Sequence, residues 1–402
     1  MREVVVMVTT SYPRFPGDGV GSFIEPIAKG VAALGHEVHL VAPWHPALTH
    51  GREEDGVHFH FFRYAPIPAL NVFGYASGLR ADTDLRVAAW AVAPVAVAAG
   101  WFKAWRVAAK RRATVMHAHW VIPGGVMATA AARRLPVVVS LHGSDVFVAE
   151  RYRMLGSAAR RVFRRAGAVT ACSDDLRRRA VALGAAPDRI ETVPYGVDAG
   201  RFAPDAAVRA AVRASLDIGE APLIFAAGRL VSKKGFEYLI DAVRGLAATH
   251  PTVRLVVAGD GDLAEPLRQR ADDLPVRFLG DQPQDTIARL ASAADVIAVP
   301  SIRDDAGNVD GLPNFALEAL ASATPVVATR AGGLPQAISD GDNGLLVPER
   351  DAAALSAAIA RLLDSPATAR ELGQRARARV MRDASWTRTA DRMVAAYDRA
   401  RT

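Results

Sequence analysis

Short apolar segments alternate with helical patterns along almost the whole of this 402-residue chain. Segments rich in branched residues, such as Val4–Val8 and Leu223–Ala227, have the length of buried strands, and Phe23–Leu34 has the pattern of a helix. Such alternation predicts parallel sheets that helices cover on both faces. The pattern occurs as two series, separated by an interruption around Tyr195–Asp217. We therefore predict an α/β fold with two Rossmann-like domains.

The interruption defines the expected domain boundary. We predict an N-terminal domain of residues 1–198 and a C-terminal domain of residues 199–385, each built on its own parallel sheet. Parallel sheets of this kind bind ligands at the carboxyl ends of their strands. A site is therefore expected where the two domains face each other across a cleft. The segment 386–402 contains one further predicted helix, which begins at Trp386.

The positive charge of the chain is concentrated in its first half. Residues 1–198 contain 24 basic and 16 acidic side chains, whereas the remainder contains 25 and 26. An anionic partner would explain this excess, and so would solvated Arg-rich helix faces, such as the one at Arg160–Arg165. No zinc-ligand spacing, aromatic nucleic-acid motif or basic tail accompanies the charge. We predict no nucleic-acid partner.

The segment Val87–Phe102 is almost wholly apolar, and five basic residues follow it between positions 103 and 112. Pro94 and Gly100 interrupt the segment, which is too short to span a bilayer. Two interpretations stay open. One is a buried helix with a basic end. The other is a helix at the surface of an anionic membrane, for which Trp101 and Trp105 are suitable side chains.

Two observations indicate an intracellular protein. Cys172 is the single cysteine, so an internal disulfide is excluded and a reducing compartment is expected. The apolar run Val4–Val8 is too short for the hydrophobic part of a secretory signal. We predict a cytoplasmic location, which the membrane interpretation of Val87–Phe102 would place at the inner face of the membrane.

The most informative motif is Asp310-Gly-Leu-Pro-Asn-Phe-Ala-Leu-Glu318. Pro313 suits the first position of a helix, and Leu317–Ala323 has helix-forming composition. The N–H groups and the positive dipole end of such a helix would face an anion. The two carboxylates would then be available to accept hydrogen bonds from sugar hydroxyls. The motif therefore predicts a nucleotide-sugar site.

A second motif, Gly228-Arg-Leu-Val-Ser-Lys-Lys-Gly235, follows the first strand of the second series. Gly228 allows the backbone to approach a ligand. Arg229 and Lys234 can hold a diphosphate, and fixed cations stabilise the charge that develops on a departing nucleoside diphosphate. We expect the side chain of Lys233 to point elsewhere. A third segment, Leu141-His-Gly-Ser-Asp145, places His142 at the end of a predicted strand.

These three motifs, in this order, resemble the pattern of retaining glycosyltransferases of family 4, also called group 1, which have the GT-B fold. The acidic motif of the family usually has Glu at both ends, whereas Asp310 is one methylene shorter. The resemblance covers nearly the whole chain and is strongest over residues 225–350 and weaker over 40–115. It implies a C-terminal helix that crosses back to the first domain.

The resemblance also implies roles for individual residues. The donor sugar would contact His142 and Asp310, and the ribose would bind to Glu318. The diphosphate would bind to Arg229, Lys234 and the start of the helix after Asp310. We therefore predict catalytic roles for His142, Asp310, Arg229 and Lys234. The predicted donor-binding residues are Gly19, Gly21, Gly228, Gly261, Gly280, Leu312, Pro313, Asn314 and Glu318.

Three local patterns have weaker interpretations. Asp18, which lies between the glycines of residues 17–21, is interpreted as part of a solvated turn. His117 and His119 have a spacing found in metal sites, but no third ligand is evident, and we favour a cleft-lining or acceptor-side role. Asp260 and Asp262 fit a turn. The cations of the second motif already supply the charge of a divalent ion, so we predict no metal ligands and no required cofactor.

The predicted activity is that of a retaining glycosyltransferase of the hexosyltransferase type. It would move a sugar from a nucleoside-diphosphate sugar to a hydroxyl of a saccharide or lipid-linked acceptor, in cell-surface polysaccharide or glycolipid synthesis. The resemblance implies that the glycosidic bond breaks ahead of attack and that the donor phosphate takes the acceptor's proton. The alternatives are a non-catalytic sugar-nucleotide-binding protein and another GT-B enzyme, such as an epimerase.

Overall fold

Two parallel β-sheets, each with its own helices, organise the chain. The computed structural model describes residues 2–67, 70–71, 73–75, 79–80, 84–85 and 87–401. Residues 1–195 and 386–402 form one unit, and residues 196–385 form the other. The predicted boundary at residue 198 lies close to this division. The predicted α/β class with two Rossmann-like domains is confirmed.

The first unit contains the larger sheet. Its strands are β1 (Val4–Val8), β2 (Glu37–Pro43), β3 (Glu53–Glu54), β4 (Val57–Phe62), β5 (Leu79–Arg80), β6 (Asp84–Leu85), β7 (Val115–His119), β8 (Val137–Leu141), β9 (Ala168–Ala171) and β10 (Ile190–Thr192). The main sheet has the order β10-β9-β8-β7-β1-β2-β4-β3, and its pairs are parallel except for the short edge pair β3–β4. Strands β5 and β6 form a separate antiparallel pair.

Helices connect most of these strands. They are α1 (Ile24–Ala33), α2 (Val87–Arg111), α3 (Val126–Ala132), α4 (Ser144–Arg151), α5 (Arg153–Arg165) and α6 (Asp174–Leu183), together with a five-residue π-helical turn at Val121–Gly125. The predicted helix Phe23–Leu34 is therefore observed as α1 with each end shortened by one residue.

The second unit is a six-stranded parallel sheet of order β13-β12-β11-β14-β15-β16. Its strands are β11 (Leu223–Ala227), β12 (Arg254–Ala258), β13 (Val276–Phe278), β14 (Val296–Val299), β15 (Val326–Thr329) and β16 (Leu345–Val347). Its helices are α7 (Ala206–Leu216), α8 (Phe236–Leu246), α9 (Ala264–Arg270), α10 (Gln284–Ala293), α11 (Asn314–Ala321), α12 (Leu334–Ala337), α13 (Ala352–Asp364) and α14 (Pro366–Asp383). Ser232–Lys234 forms one 3₁₀ turn.

Burial on both faces explains why the central strands are continuous apolar runs. In β1, Val5 to Val8 are fully buried, and in β11 the side chains from Leu223 to Ala226 are fully buried. Burial of one Val, Ile or Phe side chain contributes about 1.5–3 kcal/mol. The parallel direction of the central strands brings their carboxyl ends to one edge of each sheet, where the loops can carry functional groups.

The C-terminal helix α15 (Trp386–Arg399) belongs to the first unit, as the family resemblance implied. It packs against α1, where the missing side chain of Gly30 makes room for Ala390. Tyr397 is fully buried, and its hydroxyl lies 2.9 Å from Nδ1 of His117. The end of the chain therefore completes the core of the first unit.

Helix α2 contains Pro94 and leaves one side uncovered. Val95, Trp101 and Phe102 on that side are 56%, 41% and 47% exposed. The helix is therefore buried on one side, where Ala96 and Ala104 are fully buried, and exposed on the other. Among the described residues, no helix has the length and apolar content needed to cross a membrane.

Candidate active site

Three glycines meet at the carboxyl edge of the second sheet. Gly228, Gly259 and Gly280 follow β11, β12 and β13. The N–H of Gly228 donates to the carbonyl oxygen of Ala258 at 3.0 Å, and the N–H of Gly259 donates to that of Gly280 at 2.7 Å. Gly259 has φ +129°, and a Cβ there would lie 2.0 Å from the oxygen of Gly228. The loop after β12 therefore packs closely against Gly228 because Gly259 lacks a side chain.

The predicted donor-binding Gly261 supports the neighbouring loop. A Cβ at this position would lie 2.5 Å from the carbonyl oxygen of Leu230. Two backbone hydrogen bonds hold Leu230. Its N–H donates to the carbonyl oxygen of Asp260, and its carbonyl oxygen accepts from the N–H of Leu263, each at 2.9 Å. The carboxylate of Asp260 accepts from the N–H of Gly261 at 2.8 Å, which fits the turn predicted for this segment.

Two lysines contact the first carboxylate of the acidic motif. Nζ of Lys234 lies 2.7 Å from Oδ2 of Asp310, and Nζ of Lys233 lies 3.1 Å from Oδ1. The expectation that Lys233 points elsewhere is wrong, because the 3₁₀ turn brings both lysines to the same group. Gly228 lies beside them, since a Cβ there would be 3.5 Å from Cε of Lys234. Arg229 of the same motif is exposed.

Asp310 is held as an anion. Burial alone would raise the pKa of its carboxyl, but the charges of Lys233 and Lys234 outweigh burial and hold the pKa well below its usual range. The hydroxyl of Ser301 also lies 3.3 Å from Oδ2. A Cβ at Gly332 would lie 2.0 Å from the carbonyl oxygen of Asp310, so the loop after β15 approaches this backbone closely.

The acidic motif continues into α11. Pro313 caps the helix, which begins at Asn314, so Pro313 is not the first helical residue as predicted. Leu312 is buried, and the buried Oδ1 of Asn314 has no hydrogen-bond partner in the described part of the chain. The first N–H groups of a helix have no acceptor one turn earlier in the same helix, so the start of α11 is a suitable place for an anion.

Glu318, one turn into α11, differs from Asp310 in its protonation. Burial raises the pKa of Glu318 to about 7, and a hydrogen bond with Gln284 and the charges of Arg201 and Lys234 counteract burial only in part. The motif therefore combines one carboxylate that stays ionised with one that titrates near neutral pH.

His142 lies at the carboxyl edge of the first sheet in a chain of hydrogen bonds. Its Nδ1 is 2.6 Å from the hydroxyl of Tyr195, and its Nε2 is 3.1 Å from Nδ1 of His119. Burial lowers the pKa of His142 to about 3, so its imidazole is neutral near pH 7. The buried Nε2 of His119 has no hydrogen-bond partner among the described residues.

Asp145 positions the loop that carries His142. Its carboxylate accepts from the N–H of Val121 at 2.7 Å, of Gly143 at 3.0 Å and of His142 at 3.2 Å. Gly143 has φ +120°, a backbone conformation that residues other than glycine rarely adopt. These three hydrogen bonds show that Asp145 holds the turn in place.

The glycine loop after β1 is not the solvated turn that the sequence analysis predicted around Asp18. Asp18 is buried and is bound by the guanidinium of Arg14 at 2.6 and 3.0 Å, so it is not part of a solvated turn. A Cβ at Gly19 would meet no atom within 4 Å, which leaves its backbone open to a ligand. Gly21 has φ +69°, and a Cβ there would lie 3.1 Å from Ser11.

The structure thus brings the predicted residues together in two groups, one in each unit. Lys234, Asp310 and Gly228 are in contact in the second unit, and Glu318 lies within electrostatic range of Lys234. His142 belongs to the first unit. His117 and His119 bind other side chains and form no candidate metal group among the described residues.

Sequence reasoning missed two of the side chains in these groups. Tyr195 bonds to His142 across 53 positions of sequence, and no local pattern indicates that contact. The second is Lys233, whose contact with Asp310 the sequence did not indicate. Gly332 was missed as well, although a glycine in a loop between strands is a recognisable signal of close backbone approach.

Models of two related domain families match this chain. The model described as glycosyl transferases group 1 matches residues 208–379, and the model described as glycosyl transferase 4-like domain matches residues 18–196. A GDP-mannose-dependent alpha-(1-6)-phosphatidylinositol monomannoside mannosyltransferase from Mycolicibacterium smegmatis is 30% identical over 381 residues, which cover 92% of this chain and 91% of the relative. The chain therefore belongs to the group 1 glycosyltransferases.

A second relative agrees with this assignment, and a solved structure shares the fold. A D-inositol 3-phosphate glycosyltransferase from Acidothermus cellulolyticus is 35% identical over 308 residues, which cover 70% of this chain and 66% of the relative. The structure of Anabaena HepE in complex with UDP has the same fold, with a TM-score of 0.78, 20% identity and 98% of each chain covered. This protein is an enzyme that transfers a sugar.

Proposed function

We propose that the enzyme transfers a sugar from a nucleoside-diphosphate sugar to an acceptor hydroxyl with retention of anomeric configuration. One observation carries the proposal, which is the contact of Lys233 and Lys234 with Asp310 beside the glycine loops of the second sheet. Cations, an ionised carboxylate and an open backbone edge match the diphosphate and the hydroxyls of such a donor.

Each part of the donor has a proposed partner. The diphosphate binds to Lys234, Arg229 and the N-terminus of α11 at Pro313 and Asn314. A lysine ammonium has three donors, so Lys234 can bind Asp310 and a phosphate oxygen together. The ribose binds to Glu318, and a hydroxyl of the sugar binds to Asp310. The backbone at Gly228 and Gly280 faces the nucleotide.

The proposed mechanism requires no protein base. The glycosidic bond breaks as the lysines stabilise the charge on the leaving diphosphate, and the acceptor attacks from the same face. A donor phosphate oxygen takes the proton of the acceptor hydroxyl. His142 contacts the donor sugar as a neutral hydrogen-bonding group, since burial lowers its pKa to about 3.

No metal ion is proposed to take part in the transfer. The positive charge that a divalent ion would supply comes from Arg229, Lys233 and Lys234. Assays with a chelator in place of Mg²⁺ test this point, and we expect unchanged turnover. A loss of turnover that Mg²⁺ restores would refute it.

For the acceptor, we propose a glycolipid or a surface-polysaccharide intermediate at the inner face of the membrane. The name of the Mycolicibacterium relative specifies a phosphatidylinositol monomannoside, which is a glycolipid. The exposed side of α2 supports membrane contact, because Val95, Trp101 and Phe102 precede the exposed basic residues Arg106 and Lys110. Aromatic side chains followed by cations suit an anionic lipid surface.

Vesicle sedimentation tests the membrane contact. The full chain should bind vesicles that contain an anionic phospholipid and not vesicles of phosphatidylcholine alone. Trp101→Ala combined with Phe102→Ala should reduce binding at least tenfold. Met154→Ala is the matched control, since Met154 is 68% exposed in the same unit. Equal binding of the double variant and the control would refute the proposal for this surface.

Product analysis tests the transfer itself. The purified enzyme is incubated with a candidate donor and a lipid-linked acceptor, and the anomeric configuration of the product is read by NMR. We expect an α-linked product from an α-linked donor. Inversion would contradict the proposed mechanism, and donor hydrolysis without transfer would contradict the assigned acceptor class.

A further inference from the structure

A cluster of histidine and carboxylate side chains lies at the start of β2, in the first unit. Glu37 is the first residue of β2 and His39 lies two positions further, so their side chains share one face of the sheet. Strand β4 runs parallel to β2 with His39 paired to His58. This cluster is at the amino ends of the strands, whereas His142 follows the carboxyl end of β8.

The cluster has the atoms and spacing of a metal site. Nε2 of His39 lies 2.9 Å from Oε1 of Glu37, and the rings of His39 and His58 stack with centroids 4.8 Å apart. Ligand atoms of all three residues lie within 4.8 Å of one another. A tetrahedral zinc site with bonds of about 2.1 Å has ligands about 3.4 Å apart.

The side chains differ in their freedom to close that gap. His39 is fully buried and held in place, whereas the side chains of Glu37 and His58 are each 28% exposed. Glu37 already lies within that spacing of Nε2 of His39, so rotation of the partly exposed His58 side chain is the main movement that closes the site. Arg2, whose side chain is 72% exposed, lies 3.8 Å from Glu37 and would release it at little cost.

Both imidazoles also have an outer partner. Nδ1 of His39 lies 3.1 Å from Nε2 of His60, and Nδ1 of His58 lies 3.2 Å from a carboxylate oxygen of Glu53. A metal-bound histidine typically donates its second N–H to such a partner, which fixes the ring. The Nδ1 atoms of both rings are thus engaged, and a metal ion at Nε2 of His39 would replace the hydrogen bond that this atom makes with Glu37.

We propose that Glu37, His39 and His58 bind a divalent transition-metal ion such as Zn²⁺, with water as a further ligand. Imidazole and carboxylate ligands suit the ions from Co²⁺ to Zn²⁺ rather than Ca²⁺ or Mg²⁺. The ion cross-links β2 to β4 and stabilises that side of the first sheet. It takes no part in sugar transfer, so this inference goes beyond the proposed function.

Titration of the full chain tests the site. The protein is freed of metal with a chelator, and Zn²⁺, Co²⁺ and Mg²⁺ are added separately in a calorimeter. We expect one Zn²⁺ per chain, a visible absorption band of a four- or five-coordinate Co²⁺ complex, and no Mg²⁺ binding. Zn²⁺ should also raise the melting temperature while leaving the transfer rate unchanged.

Variants distinguish the site from adventitious binding. His58→Ala and Glu37→Gln change partly exposed side chains and should each weaken Zn²⁺ binding at least tenfold and remove the Co²⁺ band. His250→Ala is the control, because His250 pairs with Asp364 in the second unit. Absence of stoichiometric Zn²⁺ binding, or equal Zn²⁺ affinity in His58→Ala and His250→Ala, would overturn the proposal.

Discussion

The ammonium group of Lys234 lies 2.7 Å from Oδ2 of Asp310, and the two side chains are largely buried. Lys233 occupies the other oxygen of the same carboxylate. The carboxylate therefore holds two cations in place beside the glycine loops of the second sheet. Because the cations are positioned before a donor arrives, they need little rearrangement to stabilise a leaving diphosphate.

Replacement of Asp310 distinguishes its role in positioning the two lysines from the role of their positive charge in nucleotide binding. We expect Asp310→Asn to lower the transfer rate about 100-fold, since the amide holds the lysines and the sugar hydroxyl less firmly. The affinity for a free nucleoside diphosphate should remain, because both lysines remain. Turnover assays and calorimetry measure the two effects. Asp305→Asn is the control, since Asp305 is 95% exposed in the same loop. Loss of nucleotide affinity together with activity would contradict this assignment.

The raised pKa of Glu318 predicts that the unfolding free energy of the ligand-free protein falls as the pH rises. In the folded protein the pKa is about 7, above the ordinary value of 4.5, so the folded state binds more protons between these pH values. The stability that this group contributes is fully present below pH 4.5 and is lost as the pH rises through 7. Glu318→Gln should therefore stabilise the ligand-free protein at pH 8, by about 1–3 kcal/mol, and much less at pH 5.

The same variant should bind a sugar nucleotide more weakly, because an amide is a poorer acceptor for ribose hydroxyls than a carboxylate. Thermal unfolding at the two pH values and calorimetry provide the measurements. Glu265→Gln, at an exposed position of the same unit, is the control and should change neither quantity. If Glu318→Gln were less stable than the wild-type protein at pH 8, ionisation of Glu318 would not lower the unfolding free energy, and the prediction would be wrong.

A neutral His142 predicts the shape of the pH–rate profile. Its pKa of about 3 leaves no titration of this group between pH 5.5 and pH 9. His142→Gln should lower the transfer rate throughout this range by a constant factor, and His142→Ala should lower it by about 100-fold. A limb near pH 6.5 that is present in the wild-type protein and absent in His142→Gln would mean that His142 exchanges a proton during transfer.

Two glycines at the same sheet edge offer a matched test of close packing. Gly259→Ala places Cβ 2.0 Å from the oxygen of Gly228, whereas Gly280→Ala meets no atom within 4 Å. Both have positive φ, which costs about 1–2 kcal/mol for alanine. Gly259→Ala should therefore lose clearly more unfolding free energy than Gly280→Ala, measured by denaturant titration. Equal losses would show that the contact relaxes freely.

Most of the fold could be predicted from sequence because buried parallel strands are continuous apolar runs. The predicted strands at Val4–Val8 and Leu223–Ala227 have the observed bounds. Strand β4 was missed, since His58 and His60 interrupt its apolar run. These imidazoles lie on the sheet face that carries the proposed metal site. The histidines that obscured the strand pattern therefore include a proposed metal ligand.

The candidate site was predictable where its residues form short motifs. Asp310, Glu318 and Lys234 were proposed as site residues because each motif places its charged side chains within nine positions of one another. Lys233 was misplaced, since adjacent side chains of an extended chain point apart, whereas a 3₁₀ turn brings these two to one carboxylate. The cluster of Glu37 with His58 depends on the register of two strands, which the sequence does not display.

The most direct test of the donor site is calorimetric titration with UDP, GDP and ADP in the absence of metal ions, for the wild-type protein and for Lys234→Ala. Lys29→Ala serves as the control, because Lys29 forms ion pairs with Glu25 and Asp55 in the first unit. We predict that one nucleotide binds the wild-type and control proteins and that its affinity falls at least tenfold in Lys234→Ala. Binding of no nucleotide, or equal affinity in all three proteins, would contradict the account of the donor site.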